Sequence, residues 1–336
     1  MANKTTANFI GVSDDYSGTS GAWSITEARE RRASATHGEN WGVSGAFDVN
    51  FLVIAGGGGS GSATGATSEG ENNVAVGGGG AGGYLNSFGS ESSGGNTSGL
   101  AAKRCDPDTN FTVTVGAGGA VVTNGSNSVF SGTDANSSAF SLTAIGGGKG
   151  GGSAAAGNGG SGGGGGSNWL KQSTTATSVS PGTGTTNQGT DGAAVSGAII
   201  PRDTSLCNST TNKFWCDDGS TLAGGGGGGA GGAPSGSTGG AGLASSITGS
   251  SVTRAGGGGG TTANGAEGSN GTGQSAAGGG GHNTGSGQNG TVILRYPNTL
   301  TISFSASALT GSTATDGSDK VTTFTAGSGT VSWSYT

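Results

Sequence analysis

The sequence predicts a mainly β protein with polyglycine II helices: a glycine-rich lattice flanked by short strands, with a small C-terminal β module. Two observations carry that expectation. Glycine supplies 81 of the 336 residues, far above the roughly 7% of ordinary globular chains, which sets aside folds built on a large aliphatic core. The glycines also form runs that follow short apolar segments, as in FLVIAGGGG, VAVGGGGAGG, TVTVGAGG, LTAIGGGKGGG and TLAGGGGGGAGG.

A glycine run has two physical forms. One is a flexible coil whose end-to-end distance grows roughly as the square root of its length. The other is an extended left-handed helix with about three residues per turn and about 3.1 Å rise. That helix has no internal hydrogen bonds, so its N–H and C=O groups point outward and several helices must bond to one another. Ordering costs roughly 1–2 kcal/mol per residue, highest for glycine, and only a cooperative array of many runs offsets it. The punctuation selects the array. Phe51, Leu52, Val53 and Ile54, then Val74 and Val76, Val113 and Val115, Leu142 and Ile145, and Val292, Ile293 and Leu294 cluster at the runs. These residues favour strands, whereas linkers are polar throughout.

Residues 1–47 differ from the rest and predict an attachment arm. Ser24 and Glu27 fit a capping box ahead of a short helix over ARERRA. Arg29, Arg31 and Arg32 ride its solvent face or meet an acidic partner, and Trp23 and Trp41 bracket it as anchor residues. Residues 48–297 form the glycine-rich polyglycine II/β domain, which repeats in kind without a fixed period. Within it, residues 167–222 are an insertion poorer in glycine that brings Trp169, Arg202, Lys213, Phe214 and Trp215 together with Cys207 and Cys216. Long structured loops usually exist for binding. The aromatics either contact a receptor or form a small core that locks the loop. Residues 298–336 read as alternating strands, TLTISFSA, KVTTFTA and TVSWSYT, separated by the turns GSTATDGSD and GSG. That tail is too short for a large core of its own and is expected to pack on the glycine region or on sister chains.

Composition excludes several classes. The formal charge is −6, the pI about 4.8 and only 10% of residues are charged, so no basic stripe is available for nucleic acid. The opening MANKTTANFIGVSDD lacks a basic region followed by an apolar core, so no secretory leader is expected. The spacing of Cys207 and Cys216 suits a disulfide-closed loop; reduced thiols are the cytosolic default, with oxidation open after release. Cys105 is left over. GGGKGGGS fails the phosphate-loop motif because Gly150 follows Lys149 where Ser or Thr is needed. With His37 and His282 the only histidines, no catalytic residues, metal site or cofactor can be nominated, and an enzyme is not expected.

The succession FLVIAGGGGSG, GGGGAGGY, FTVTVGAGG with NGSNSVF, AIGGGKGGG and GQNGTVILRYP resembles a glycine-rich domain of tailed-phage structural proteins, especially those of marine and cyanobacterial hosts. It runs from Phe47 to Pro297 apart from the insertion. The opening SGAWSITEARERRA is similar to a short motif of such virion proteins. The architecture also resembles the polyglycine II sandwich of tail-fibre tip adhesins. The resemblance implies a virion protein of the tail-fibre or adhesin class, assembled in the host cytoplasm and released by lysis. The expected partners are other virion proteins through the N-terminal arm, a host surface glycan or outer-membrane protein, and further copies of the chain. The alternative is a passive, self-assembling filament protein. Ice binding is less favoured, since no regular Thr or Ala period appears.

Overall fold

The computed structural model describes residues 45–62, 75–152, 154–168, 177–196, 223–261, 268–273, 278 and 285–335. The helix expected at ARERRA lies outside them. The strands are β1 (Phe47–Ile54), β2 (Tyr84–Asn86), β3 (Lys103–Cys105), β4 (Phe111–Val115), β5 (Ser128–Thr133), β6 (Ala139–Ala144) and β7 (Gly166–Asn168). They continue with β8 (Thr177–Val179), β9 (Leu243–Ser245), β10 (Val252–Arg254), β11 (Thr291–Pro297), β12 (Leu300–Phe304), β13 (Leu309–Asp316) and β14 (Asp319–Tyr335). All pairings between them are antiparallel, and the main sheet is nearly closed.

Strand β14 folds that sheet on itself. Along one edge it pairs first with β11, through Asp319–Phe324, and then with β4, through Gly327–Val331. Along the other edge it pairs with β13 and then with β12. One half of the sheet therefore reads β13-β14-β11-β1, and the other β12-β14-β4-β5-β6. The corner falls at Gly327, whose φ of 95° is a conformation that L side chains rarely adopt. Bends of this kind let one strand serve two sheets.

The two halves enclose the larger apolar core. Phe47, Val49, Phe51 and Val53 of β1 point into it, with Val292, Leu294 and Tyr296 of β11, Phe111 and Val113 of β4, Phe130 of β5 and Trp333 of β14. The Trp333 ring meets Phe47, Phe111 and Tyr296 edge-on at centroid distances of 5.4, 5.3 and 5.7 Å, the geometry that ring quadrupoles favour. The intervening residues Leu52, Ile54 and Ile293 face the other way. They pack with Ala81, Tyr84, Ala230, Ile247 and Ala255 on the glycine side. This is why FLVI is apolar at every position: β1 is buried on both faces.

Beyond the strands the runs form the polyglycine lattice, and their hydrogen bonds step by three. Ala55, Gly58 and Gly61 donate to the carbonyls of Gly83, Gly80 and Gly77 at 3.1, 2.9 and 3.0 Å. Gly56 and Gly59 donate to Ser126 and Thr123, both at 3.0 Å, and Gly57 and Ser60 to Gln288 and Gly285 at 2.9 and 2.7 Å. Successive residues thus turn to different neighbours, as a helix with about three residues per turn requires. Gly258 and Thr261 donate to Gly79 and Val76, while Gly257 and Gly260 donate to Gly240 and Ser237. Val76 therefore sits in the lattice and not in the strand that VAV suggests.

The lattice continues the register of the sheet. Ile54 pairs with Tyr84 across β1 and β2, and the next bonds link Ala55 to Gly83, Gly58 to Gly80 and Gly61 to Gly77. On the other side Ile54 pairs with Thr291, followed by Gly57 to Gln288 and Ser60 to Gly285. The rises of a strand and a polyproline-type helix differ by only about 0.2–0.3 Å per residue, so alignment survives the change of conformation.

Two turns expected in the tail are instead strand. GSTATD belongs to β13, where Ser312, Thr313, Ala314 and Thr315 pair with Thr323, Thr322, Val321 and Lys320; the true turn is at Gly317, with φ 62°. The GSG at 327–329 bends β14 without ending it. Polar β-branched residues read as a loop by composition, but the backbone of β14 supplies a ladder for them. The tail packs on the glycine-rich region through β11 and β4.

The close approach of the runs makes a steric prediction. A Cβ built at Gly227 would lie 2.0 Å from the carbonyl oxygen of Gly79, whereas one at Gly232 would meet nothing nearer than 3.5 Å. Gly227→Ala should destabilise the protein by about 1–3 kcal/mol or more, and Gly232→Ala should leave it close to wild type. Urea unfolding of the two variants checks this, and equal midpoints would count against lattice packing.

Candidate functional site

The lattice has two unlike ends. At one end its runs pass into β1, β2, β4, β5, β6 and β11. The other end is a layer in which the runs are joined by short, well-aligned bonds. Gly61 donates to Gly77 at 3.0 Å and Gly77 to Gly151 at 2.7 Å. The Ser167 hydroxyl accepts from Ala75 N–H at 3.2 Å, and the Thr261 hydroxyl accepts from Val76 N–H at 3.0 Å. Gly224 donates to Thr261 at 2.9 Å, while Ser196 and Ala223 exchange both backbone bonds at 3.1 and 2.8 Å. Ser62, Ala75, Asn168, Ser196, Ala223 and Thr261, which border segments outside the described residues, all lie in or next to this layer.

The expected site residues belong to those segments or to the arm. Trp169 follows directly on Asn168, and Ser196 and Ala223, paired in a bridge, border the segment that carries Arg202, Cys207, Lys213, Phe214, Trp215 and Cys216. These seven side chains, and the anchors Trp23 and Trp41, lie outside the described residues. The expected insertion 167–222 is not one loop: within it, residues 177–196 bond into the lattice, Ala193 donating to Gly226 and accepting from Gly165, because glycines at 182, 184, 189 and 192 allow the same close approach. What the structure supplies is the residues that border the two outlying segments. Asn168, Ser196 and Ala223, the described residues next to them, lie at the same end of the lattice.

Sequence reasoning missed the side chains that close the lattice perimeter. Where a run lacks a neighbouring chain, an amide or carboxylate oxygen accepts its N–H. Asn124 accepts from Lys149, Asn127 from Gly146 and Asn158 from Thr183, each at 2.9 Å, and Asn289 accepts from Gly118 at 3.0 Å. Asp191 accepts from Gly184 at 2.7 Å. Gln188 does both jobs, accepting from Ile145 N–H at 2.8 Å and donating to Thr143 O at 3.1 Å. The signal available was the placement of Asn124, Asn158 and Asn289 immediately before glycine.

The same bonding occupies the backbone of GGGKGGGS. The N–H groups of Gly147, Gly148, Gly150 and Gly151 donate to the carbonyls of Gly56, Ser161, Gly59 and Gly164, which leaves none of them for an anion. A part-buried polar cluster around Glu91 is also closed. Both Glu91 oxygens accept, from Ser246 N–H at 2.7 Å and from the Asn86 amide at 3.0 Å. Burial lowers the pKa of nearby Arg254, which donates to Val252 O. Among the described residues no group of three or more His, Cys, Asp or Glu could hold a metal, and no helix is long and apolar enough to cross a membrane.

Fold and site together define a β protein whose sheet is prolonged into a polyglycine II lattice. The chain belongs to the glycine-rich domain family, whose model matches residues 34–297. Neither the curated proteins nor the solved structures compared with it contain a match.

Two measurements test the site's surroundings. Asn127→Ala leaves the buried Gly146 N–H without an acceptor and should cost about 1–3 kcal/mol; Asn127→Asp keeps the oxygen and should recover most of that in urea unfolding. Cys105 is fully buried, and burial, followed by the charges of Asp106, Asp134 and Asp48, pushes its thiol from 9.0 up to about 12. The folded chain keeps the proton where the unfolded chain loses it, so stability falls as pH rises above 9.0. Cys105→Ala should make that alkaline fall in the urea midpoint shallower.

Proposed function

We propose that the chain is a phage virion structural protein of the tail-fibre or adhesin class. In this reading the lattice is a rigid body and the segments leaving its far layer contact the host. The observation that carries the reading is that Asn168, Ser196 and Ala223, which border those segments, share one end of the lattice, opposite the main sheet. A lattice of backbone offers little chemical identity, so recognition falls to side chains beyond it. Aromatic rings such as Trp169, Phe214 and Trp215 suit stacking on sugars or filling apolar pockets, and Arg202 and Lys213 set orientation. A surface glycan or outer-membrane protein is the proposed target. The N-terminal arm, with Trp23 and Trp41, is proposed to dock on other virion proteins. The resemblance of the run order and of GQNGTVILRYP to phage structural proteins supports the assignment to a virion.

The test is binding of the purified chain to the bacterial host. Binding should saturate, compete with phage adsorption and be lost in the double variant Phe214→Ala, Trp215→Ala while the melting temperature is unchanged. Unsaturable binding without competition would leave the passive filament protein as the better reading.

A further inference from the structure

Strand β13 presents an edge that nothing among the described residues covers. Leu309–Asp316 pairs with β14 on one side, and no described strand lies on its other side. Thr310, Ser312, Thr313, Ala314 and Thr315 are exposed. Sheet proteins usually blunt such an edge with lysine, proline or an inward charge, or twist it away with a bulge. In β13 the residues from Thr310 to Thr315 include no lysine, proline or charge, and the one irregularity, between Thr310 and Gly311, leaves Ser312–Asp316 regular.

We propose that β13 is a self-association edge, pairing antiparallel with β13 of a second copy about a two-fold axis. A second copy is the occupant the strand fits best. An antiparallel edge is its own complement, because a two-fold rotation sets each unpaired N–H and C=O opposite its counterpart. Pairing centred on Thr313 sets Ser312 opposite Ala314 of the second copy, small and uncharged residues that approach without repulsion. The strand's one charge, Asp316, is paired within its own chain with an arginine that it shares with Asp319. Arg295 reaches its carboxylate at 2.7 Å and that of Asp319 at 2.8 Å, and also donates to Ile247 O at 3.1 Å. The Arg295 latch therefore holds the end of the β13–β14 hairpin in place, and the stretch from Thr310 to Thr315 carries no charge. This inference does not depend on host recognition, and either can fail without the other.

The experiment uses the full chain and two charge variants. Light scattering should give twice the 31.3 kDa chain mass for wild type, with amide exchange over residues 309–316 slowing as protein concentration rises. Ser312→Lys, Ala314→Lys should weaken the dimer by at least about tenfold, since like charges face each other across the strands. Ser312→Asp, Ala314→Asp should do the same, and mixing the two variants should restore a mixed dimer. Circular dichroism and melting confirm that each variant is folded. A wild-type chain that remains single at its highest soluble concentration overturns the proposal. So does an oligomer indifferent to both variants, or a mixture that fails to associate.

Discussion

Everything in this protein depends on one constraint: an extended glycine backbone has no hydrogen-bond partner within itself. A run such as 55–62 must find acceptors and donors on other chain segments or remain in water. It finds them by turning a different edge to a different neighbour at each residue, with contacts repeating every third position. Glycine is required because neighbouring carbonyls stand where a Cβ would be, 2.2 Å away at Gly58 and 1.9 Å at Gly59. The residues that are not glycine mark exceptions to that crowding. Ala81 and Ala230 put their methyls into the apolar layer beneath β1 and β11, and Thr261 uses its hydroxyl as an acceptor.

Such a lattice cannot set its own register, since one glycine is equivalent to the next. The strands supply it. Side chains in β1, β11 and β14 are distinguishable by size and shape, and a slip of one residue would move Phe51 and Leu52 to the wrong faces. Once β1 is aligned with β2 and β11, the runs that follow are aligned as well, because strand and polyglycine helix advance by nearly equal steps. The sheet therefore acts as a template, and the aromatic cluster around Trp333 anchors it. Asparagine, glutamine and aspartate side chains finish the lattice where it meets solvent and no further chain is present.

This division of labour has a functional corollary. Bonds among segments distant in sequence make the lattice stiff while leaving few side chains on it to recognise anything. Chemical identity is gathered in the segments that depart from its far layer and in the polar edge of the β13–β14 hairpin.

The amino-acid sequence by itself determined the fold class, because glycine runs behind β-branched clusters have few ways to satisfy their backbone. It also showed that GGGKGGGS departs from the phosphate-loop motif, since Gly150 follows Lys149. The tertiary structure decided matters that turn on contacts between distant residues. Whether GSTATD is turn or strand depended on β14 lying beside it, and whether GSG ends a strand depended on the corner at Gly327. The partner of each run was invisible in the sequence, since glycines carry no label and their pairing is inherited from the strands. That Asn168, Ser196 and Ala223 share one layer was equally hidden. It follows from antiparallel pairing over separations such as that between Val76 and Thr261, which no local pattern records.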